Sequence, residues 1–466
     1  MMTYAKKIIS LWIIIALTTG WPFVDTAQGL SIREEAELAD AFLDAVHQAY
    51  DVIDDPMINN YINGVGQKIV SVFPTQPFQY RFYVIRQDTY NAFAGPAGNI
   101  FVFSGLFEAL ANEHELAALL AHEIAHVSSR HIADLIAKSK RTSIATMAGV
   151  VAGILIGIGG APTAGSALTI GSMAAGQTMV LAYTRENEMQ ADQISRTYLQ
   201  KAGYELSAML SLLKKIRAVD WFDTSDIPTY LKTHPATEDR IIYLGALLEN
   251  RDIPKIESEP DFLRVRTRLT AMYGDMNTAT RRFAALIERQ PDDLTANYGY
   301  GLALARGSNS RAAMPYLVKV FDAEPDDPYL KHDLGRIYFQ AGDYENALAL
   351  LKTSPILKEG GPEGLFFLGR SQMQLGHLQD AAETFRILIR YYPDYADALL
   401  FMGITLGELE DLGGAHYNLG LYYMKKGDHK TSTFHFKKAL EYEKDEARRK
   451  KIDAGLEDLI PGKSKP

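Results

Sequence analysis

Leu38, Phe42, Val46 and Tyr50 recur every four residues, and this spacing predicts one amphipathic helix across 31–60. From residue 78 the period shortens to two. FQYRFYVIRQ (78–87) alternates aromatic and β-branched residues with polar ones and reads as a strand. NAFAGPAGNIFVFSGLF (91–107) turns at Gly-Pro-Ala-Gly and resumes as a second strand-like run, IFVFSG. Helical spacing returns over 112–137 and again over 184–202, the latter dense in charge. Between them lies 143–176, apolar and full of Gly and Ala. Glycine pairs and Pro162 break it after about eighteen residues, so it predicts a mobile apolar hairpin over a cleft or a buried helix pair, not a membrane span. The same surface permits peripheral membrane contact.

The C-terminal half carries a longer period. Gly301, Gly335, Gly369 and Gly403 stand 34 residues apart, and Ala279, Ala313, Ala347 and Ala381 step by the same interval. Seven residues after each glycine falls a turn position: Ser308, Gly342, Gly376 and Glu410, with Gly274 one period earlier. Pro291, Pro325 and, two periods on, Pro393 end helices in the same register. A 34-residue helix–turn–helix with small residues at these offsets resembles the tetratricopeptide repeat. Small residues let paired helices approach closely, and stacking buries a core that no single repeat could make. Four repeats match. Gly420 then follows Gly403 by only 17, which predicts a missing helix. The boundary between the halves falls near 250–262, where RDIPKIESEPD brings Pro and charge together.

Composition narrows the class. A chain of 466 residues with 47% hydrophobic and 23% charged residues is ordinary for a folded protein of two or three domains. Its net charge of -9 argues against a general nucleic-acid binder. Cysteine is absent, which excludes disulfides, thiolate ligands and thiol nucleophiles. At the N-terminus Lys6 and Lys7 precede IISLWIIIALTTG (8–20), the layout of a secretory signal, with Gly20 and Ala27 as cleavage candidates. A retained anchor is the other reading. The apolar run is short for a ~30 Å hydrocarbon core, which favours removal.

The candidate chemistry lies in AHEIAHVSSRH (121–131). On a helix His122 and His126 are one turn apart and face the same way, so both imidazoles reach one ion. Glu123 is turned by about 100° from His122, too far to be a ligand beside it but able to take a proton from the attacking water. The bland alternative is a surface helix with scattered histidines. His131 lies five after His126, off the ligand face, and reads as a packing or surface residue. A catalytic zinc needs a third protein ligand and an open fourth position. AYTRENEMQADQISR (182–196) offers Glu188 for that ligand. Asp192, one turn on, can accept the N–H of a ligand histidine and fix its tautomer.

HEIAH followed by Tyr183, Thr184, Arg185, Glu188, Ala191 and Asp192 resembles the zinc metallopeptidases that include the CAAX prenyl protease and HtpX. NAFAGPAGNIFVFSGLF is similar to the family's stretch before the zinc helix, and THPATEDRI (233–241) to its downstream His-Pro segment. Gln190 departs from the pattern, standing where the family more often has Glu. The resemblance implies His122, His126 and Glu188 as ligands of one Zn²⁺ per chain, Glu123 as general base and later acid, and Asp192 behind them. It adds His234 and Arg240 as further catalytic candidates. His234 is either a fourth ligand that holds the enzyme latent or a helix-capping or substrate-side residue.

The fold expected is an α+β zincin-like metallopeptidase domain, mostly helical with a small sheet, followed by an all-α tetratricopeptide solenoid. The expected limits are a signal peptide at 1–27, the peptidase at 28–256, the repeats at 257–456 and a flexible tail at 457–466. Substrate would pair with an edge strand near 99–103. By resemblance the enzyme is periplasmic and acts on unfolded or stalled outer-membrane β-barrel proteins. Its repeats would recruit those clients or the β-barrel assembly machinery, and no nucleic-acid partner is implied. The rival reading is a repeat-based chaperone or scaffold in which proteolysis is secondary.

Overall fold

The structure is a computed structural model that describes residues 30–138, 183–220, 229–235, 237–249, 258–354 and 361–459. The leader at 1–27 and the apolar segment 143–176 lie outside the described residues, as does most of the tail. Among the described residues no helix is long and apolar enough to cross a membrane.

Two helices form where the period of four predicts one: α1 (Ile32–Ala49) and α2 (Pro56–Val70). A capping box between Ser31 and Glu34 opens α1. The break follows from Pro56, whose ring disfavours helix in the preceding residue and suits the first turn of the next. Asp55 caps that turn, accepting from the amides of Met57 and Ile58. The chain between the helices runs beside the sheet instead, with the Ile53 amide donating to the Val84 carbonyl.

Three strands follow: β1 (Arg81–Ile85), β2 (Ala92–Ala94) and, after a short 3-10 turn at Pro96–Gly98, β3 (Asn99–Phe103). The order is β1-β3-β2, with β3 parallel to β1 and antiparallel to β2. The strand expected at an edge, 99–103, is therefore the central one. Its five residues are all buried, as a strand covered on both faces requires. Ile100 and Val102 enter the main peptidase core, whereas Phe101 and Phe103 pack with Phe42 of α1.

Behind the sheet, α3 (Ser104–Ala109) leads into α4 (Glu113–Ser128), and a separate α5 (His131–Lys138) replaces the single helix predicted over 112–137. The chain turns at Arg130, whose φ of 54° no α-helix accommodates. The domain is completed by α6 (Arg185–Lys201), α7 (Ser207–Asp220), α8 (Thr229–Thr233) and α9 (Thr237–Leu248).

The repeats begin at α10 (Pro260–Tyr273) and α11 (Met276–Arg289). Pairs α12 (Leu294–Arg306) with α13 (Ser310–Ala323), α14 (Pro328–Ala341) with α15 (Tyr344–Thr353), and α16 (Pro362–Gln374) with α17 (Leu378–Tyr391) follow. The array closes with α18 (Ala396–Glu408), α19 (Leu412–Lys425), α20 (His429–Tyr442) and α21 (Glu446–Asp458). The 34-residue glycines do what their spacing implies. A Cβ on Gly301, Gly335, Gly369 or Gly403 would come within 2.5–2.8 Å of Leu317, Leu351, Phe385 or Leu419 on the paired helix. No helix is missing at the 17-residue step. α19 receives α18 through Leu419 against Gly403 and then offers its own Gly420 to Phe436 of α20, so the array continues in half-period steps.

One helix belongs to both halves. Phe262, Val265 and Leu269 of α10 are part of the peptidase core, and Ala271 is part of the first repeat core. Arg268 on the same helix joins Asp55 of the peptidase half, at 2.6 Å, to Asp333 of α14, at 2.5 Å.

Candidate metal centre

Asn112 caps α4 by accepting from the Glu115 amide, which fixes the start of a helix buried along most of its length. His122, Glu123 and His126 are therefore interior residues, exposed by 3%, 0% and 0%. The bland reading, a surface helix with scattered histidines, does not survive that burial. Facing α4 lies α6, opened by a capping box between Thr184 and Asn187. Glu188, Ala191, Asp192, Ser195 and Leu199 form its buried face, so the otherwise polar helix turns two carboxylates inward at one-turn spacing.

These side chains converge. His122 Nε2 stands 3.1 Å from His126 Nε2, 3.3 Å from Glu188 Oε2, and His126 Nε2 lies 3.4 Å from Glu188 Oε1. His234, at the end of α8, brings its Nδ1 to 3.0 Å from Glu188 Oε1. Ligand atoms of His122, His126, Glu188 and His234 all lie within 4.8 Å of one another. Neighbouring donors on a tetrahedral zinc with ~2.0–2.1 Å bonds would be separated by ~3.3–3.4 Å, so the set has the size of a metal site. The residues present fit the ion.

A second layer sets the orientation of the first. Asp192 Oδ1 lies 3.1 Å from His122 Nδ1, which assigns the proton to that nitrogen and leaves Nε2 as a bare donor. Arg240 of α9 forks onto Asp192 with two 2.8 Å hydrogen bonds and places Nη1 2.7 Å from Glu188 Oε2. Arg240, a candidate catalytic residue by resemblance, thus braces two carboxylates, while its Nη1 makes no hydrogen bond. Burial pushes the Asp192 carboxyl up, but Arg240 and His122 together outweigh it and draw the pKa down to about 2. Burial likewise opposes ionisation of Glu188, and His234 and Arg240 hold it well below the usual carboxylate range.

His131 is the residue the sequence reading missed. Because the chain turns at Arg130, its ring swings back, with Nδ1 3.0 Å from His126 Nδ1 and Nε2 3.1 Å from Gln190 Oε1. Gln190, the departure from the family pattern, thus supports the histidine that orients His126. Helical-wheel spacing could not reveal this, since it assumes that the helix continues.

Glu123 differs from every other member. Both of its oxygens are buried without a hydrogen-bond partner, and Oε1 stands 3.6 Å from His234 Nε2. Burial pushes its carboxyl up, against the pull of His234 and His122. A buried carboxylate without a donor is costly unless the site has a use for it, and a raised pKa suits a group that accepts and returns a proton.

A family model described as Peptidase family M48 matches residues 52–247. Tetratricopeptide-repeat models match 274–328, 303–364, 368–415 and 413–446, the last of them in the half-period register. The beta-barrel assembly-enhancing protease of Escherichia coli (strain K12) is 30% identical over 383 residues, spanning 79% of this chain and 76% of the relative. Its Yersinia pestis counterpart is 29% identical over 390 residues, 80% of this chain and 77% of that protein. The mitochondrial metalloendopeptidase OMA1 of Schizosaccharomyces pombe is 29% identical over 207 residues, 43% of this chain and 56% of its own.

Proposed function

The chain belongs to peptidase family M48, with tetratricopeptide repeats at its C-terminal end, and from that premise we propose a zinc enzyme of the periplasm that degrades misfolded or stalled outer-membrane β-barrel proteins. It is a metalloendopeptidase. The observation that carries the finer reading is the convergence of His122, His126, Glu188 and His234 beside a carboxylate, Glu123, whose buried oxygens have no hydrogen-bond partner.

His122, His126 and Glu188 are the residues that would hold the zinc. The bound ion would supply Lewis acidity toward the scissile carbonyl and the attacking water. Glu123 takes the proton of that water and returns it to the leaving amine, its buried position keeping competing solvent away. Asp192 and Arg240 hold His122 and Glu188 in register throughout. Since β3 is paired on both sides, an extended substrate would add to β2, of the two edge strands the one packed against α4. The repeats, in this reading, recruit clients or assembly machinery in outer-membrane β-barrel biogenesis, as the relatives' name suggests.

His234 gives the site a means of restraint. With its Nδ1 beside Glu188, His234 would be the fourth residue to hold the ion, and in doing so would take the place of the attacking water. Purified protein is expected to contain about one zinc per chain, and chelation should abolish cleavage of an unfolded test protein until zinc is restored. His234→Ala should retain zinc and cleave faster than the parent. Protein that cleaves equally well before and after chelation would refute the metal mechanism. A zinc-replete His234→Ala protein with reduced turnover would assign His234 to catalysis instead.

A further inference from the structure

One main-chain hydrogen bond ties the strand that would receive substrate to the helix that carries His234. The Tyr230 amide, in the first turn of α8, donates at 3.1 Å to the carbonyl of Tyr90, which stands just before β2. Tyr230 also holds His234 in two ways. Its carbonyl accepts from the His234 amide at 2.9 Å, and its ring stacks on the imidazole, with centroids 4.3 Å apart and planes 19° from parallel. The far end of α8 is fixed by the Tyr183 amide, which donates to the Thr233 carbonyl at 3.1 Å.

The direction of the Tyr90 carbonyl follows from the β2–β3 ladder. Successive residues of an antiparallel strand turn their main-chain groups to alternate sides. The Asn91 carbonyl accepts from the Phe103 amide, and the Gly95 amide donates to the Asn99 carbonyl, so the odd-numbered residues of this stretch bond to β3. Tyr90, Ala92 and Ala94 therefore turn their amides and carbonyls to the outer side. Among the described residues, Tyr90 alone of the three has a main-chain partner on that side, and the partner is Tyr230. Ala92 and Ala94 are fully buried, so the edge is closed in this state.

An extended substrate pairing with the outer side meets Ala94, Ala92 and Tyr90 at every second residue of its own. A segment of about three residues serves the two alanines, whereas one of about five reaches Tyr90. A paired strand lies ~4.8 Å from its neighbour. At Tyr90 the backbone of α8 already fills that place, with the Tyr230 nitrogen 3.1 Å from the carbonyl. Substrate and α8 therefore exclude one another at this one residue and at neither alanine.

We propose that a substrate segment of about five or more extended residues displaces the Tyr230 amide from Tyr90 and thereby withdraws His234, whereas a shorter segment pairs with β2 and leaves the enzyme restrained. This rests on the readings of β2 as the substrate strand and of His234 as the restraint. It names what the site selects: a continuous length of extended chain, which unfolded protein supplies and a short peptide does not. A net backbone hydrogen bond is worth up to roughly tenfold in an equilibrium, and the new pair at Tyr90 replaces the one it breaks.

The test compares a fluorogenic tetrapeptide and a decapeptide that share one cleavable core, on zinc-loaded full-length protein. At saturating peptide the decapeptide should turn over roughly tenfold or more faster, because kcat and not only KM depends on the release of His234. His234→Ala should raise tetrapeptide turnover and reduce that ratio to about twofold or less. Tyr230→Pro, which removes the amide hydrogen in a first helical turn where proline is accepted, should do the same. The visible spectrum of Co²⁺-substituted Glu123→Gln protein gives a readout independent of turnover. The decapeptide should shift it toward the spectrum of the same protein carrying His234→Ala, and the tetrapeptide should leave it unchanged. Equal saturated turnover of the two peptides in the parent, or a length preference undiminished in His234→Ala, would overturn the proposal. If His234→Ala raises turnover in either of those cases, the coupling alone fails. If zinc-replete His234→Ala lowers turnover of both peptides, the restraint beneath it fails as well.

Discussion

Two buried clusters in this molecule are built on the same plan and have different outcomes. At the metal centre Arg240 bridges Asp192 and Glu188; at the junction of the two halves Arg268 bridges Asp55 and Asp333. In the junction the hydroxyls of Tyr273 and Tyr298 donate to the two carboxylates and Asp55 additionally caps α2, so that of the four carboxylate oxygens only Asp333 Oδ1 is left without a hydrogen bond. In the metal centre the arginine closes only the outer side. Imidazole nitrogens and a carboxylate oxygen face one point, and both oxygens of Glu123 lack a hydrogen-bond partner. Buried charge alone therefore does not mark function, because satisfied clusters join elements. The informative signal is a set of polar atoms left unmet and aimed together.

The comparison breaks if the junction proves dispensable. Arg268→Met leaves two buried carboxylates without their cation and should cost about 3–5 kcal/mol. Chemical denaturation should then show the repeats and the peptidase half losing their common transition. A change below about 1 kcal/mol would mean that Arg268 contributes little to joining them. At the metal centre the corresponding change should act on the ion more than on the fold. Asp192→Ala frees the His122 ring and should weaken zinc affinity by roughly 10–100-fold, read by competition with a chelator. Unchanged affinity would reduce Asp192 to a structural partner of Arg240.

Much of this was legible in the sequence wherever a regular period continued. His122 and His126 lie on one face because α4 is an unbroken helix there, and Glu188 and Asp192 on one face of α6 for the same reason. The 34-residue glycines reported close helix contacts, which the packing against Leu317, Leu351, Phe385 and Leu419 explains. Misreadings occurred where a period stopped. His131 joins the site because Arg130 takes a left-handed turn that a helical wheel does not contain. The single helix over 31–60 ignored Pro56, whose local preference overrides an apolar spacing that runs through it. The edge strand expected near 99–103 is the centre of the sheet, since pairing partners are set by tertiary structure and a short apolar run carries no record of them. At Gly420 the half-period step suggests a missing helix, although one helix can serve two neighbours with different faces.

In the proposed mechanism Glu123 moves the proton, and its neighbours hold the metal. Glu123→Gln tests it most directly, because the amide keeps the shape of the side chain and loses only its ability to accept a proton. Zinc content and turnover of an unfolded protein substrate are measured on the same preparation. Zinc content should equal that of the parent, with turnover reduced by at least about 100-fold. Full turnover in zinc-replete Glu123→Gln protein would contradict it.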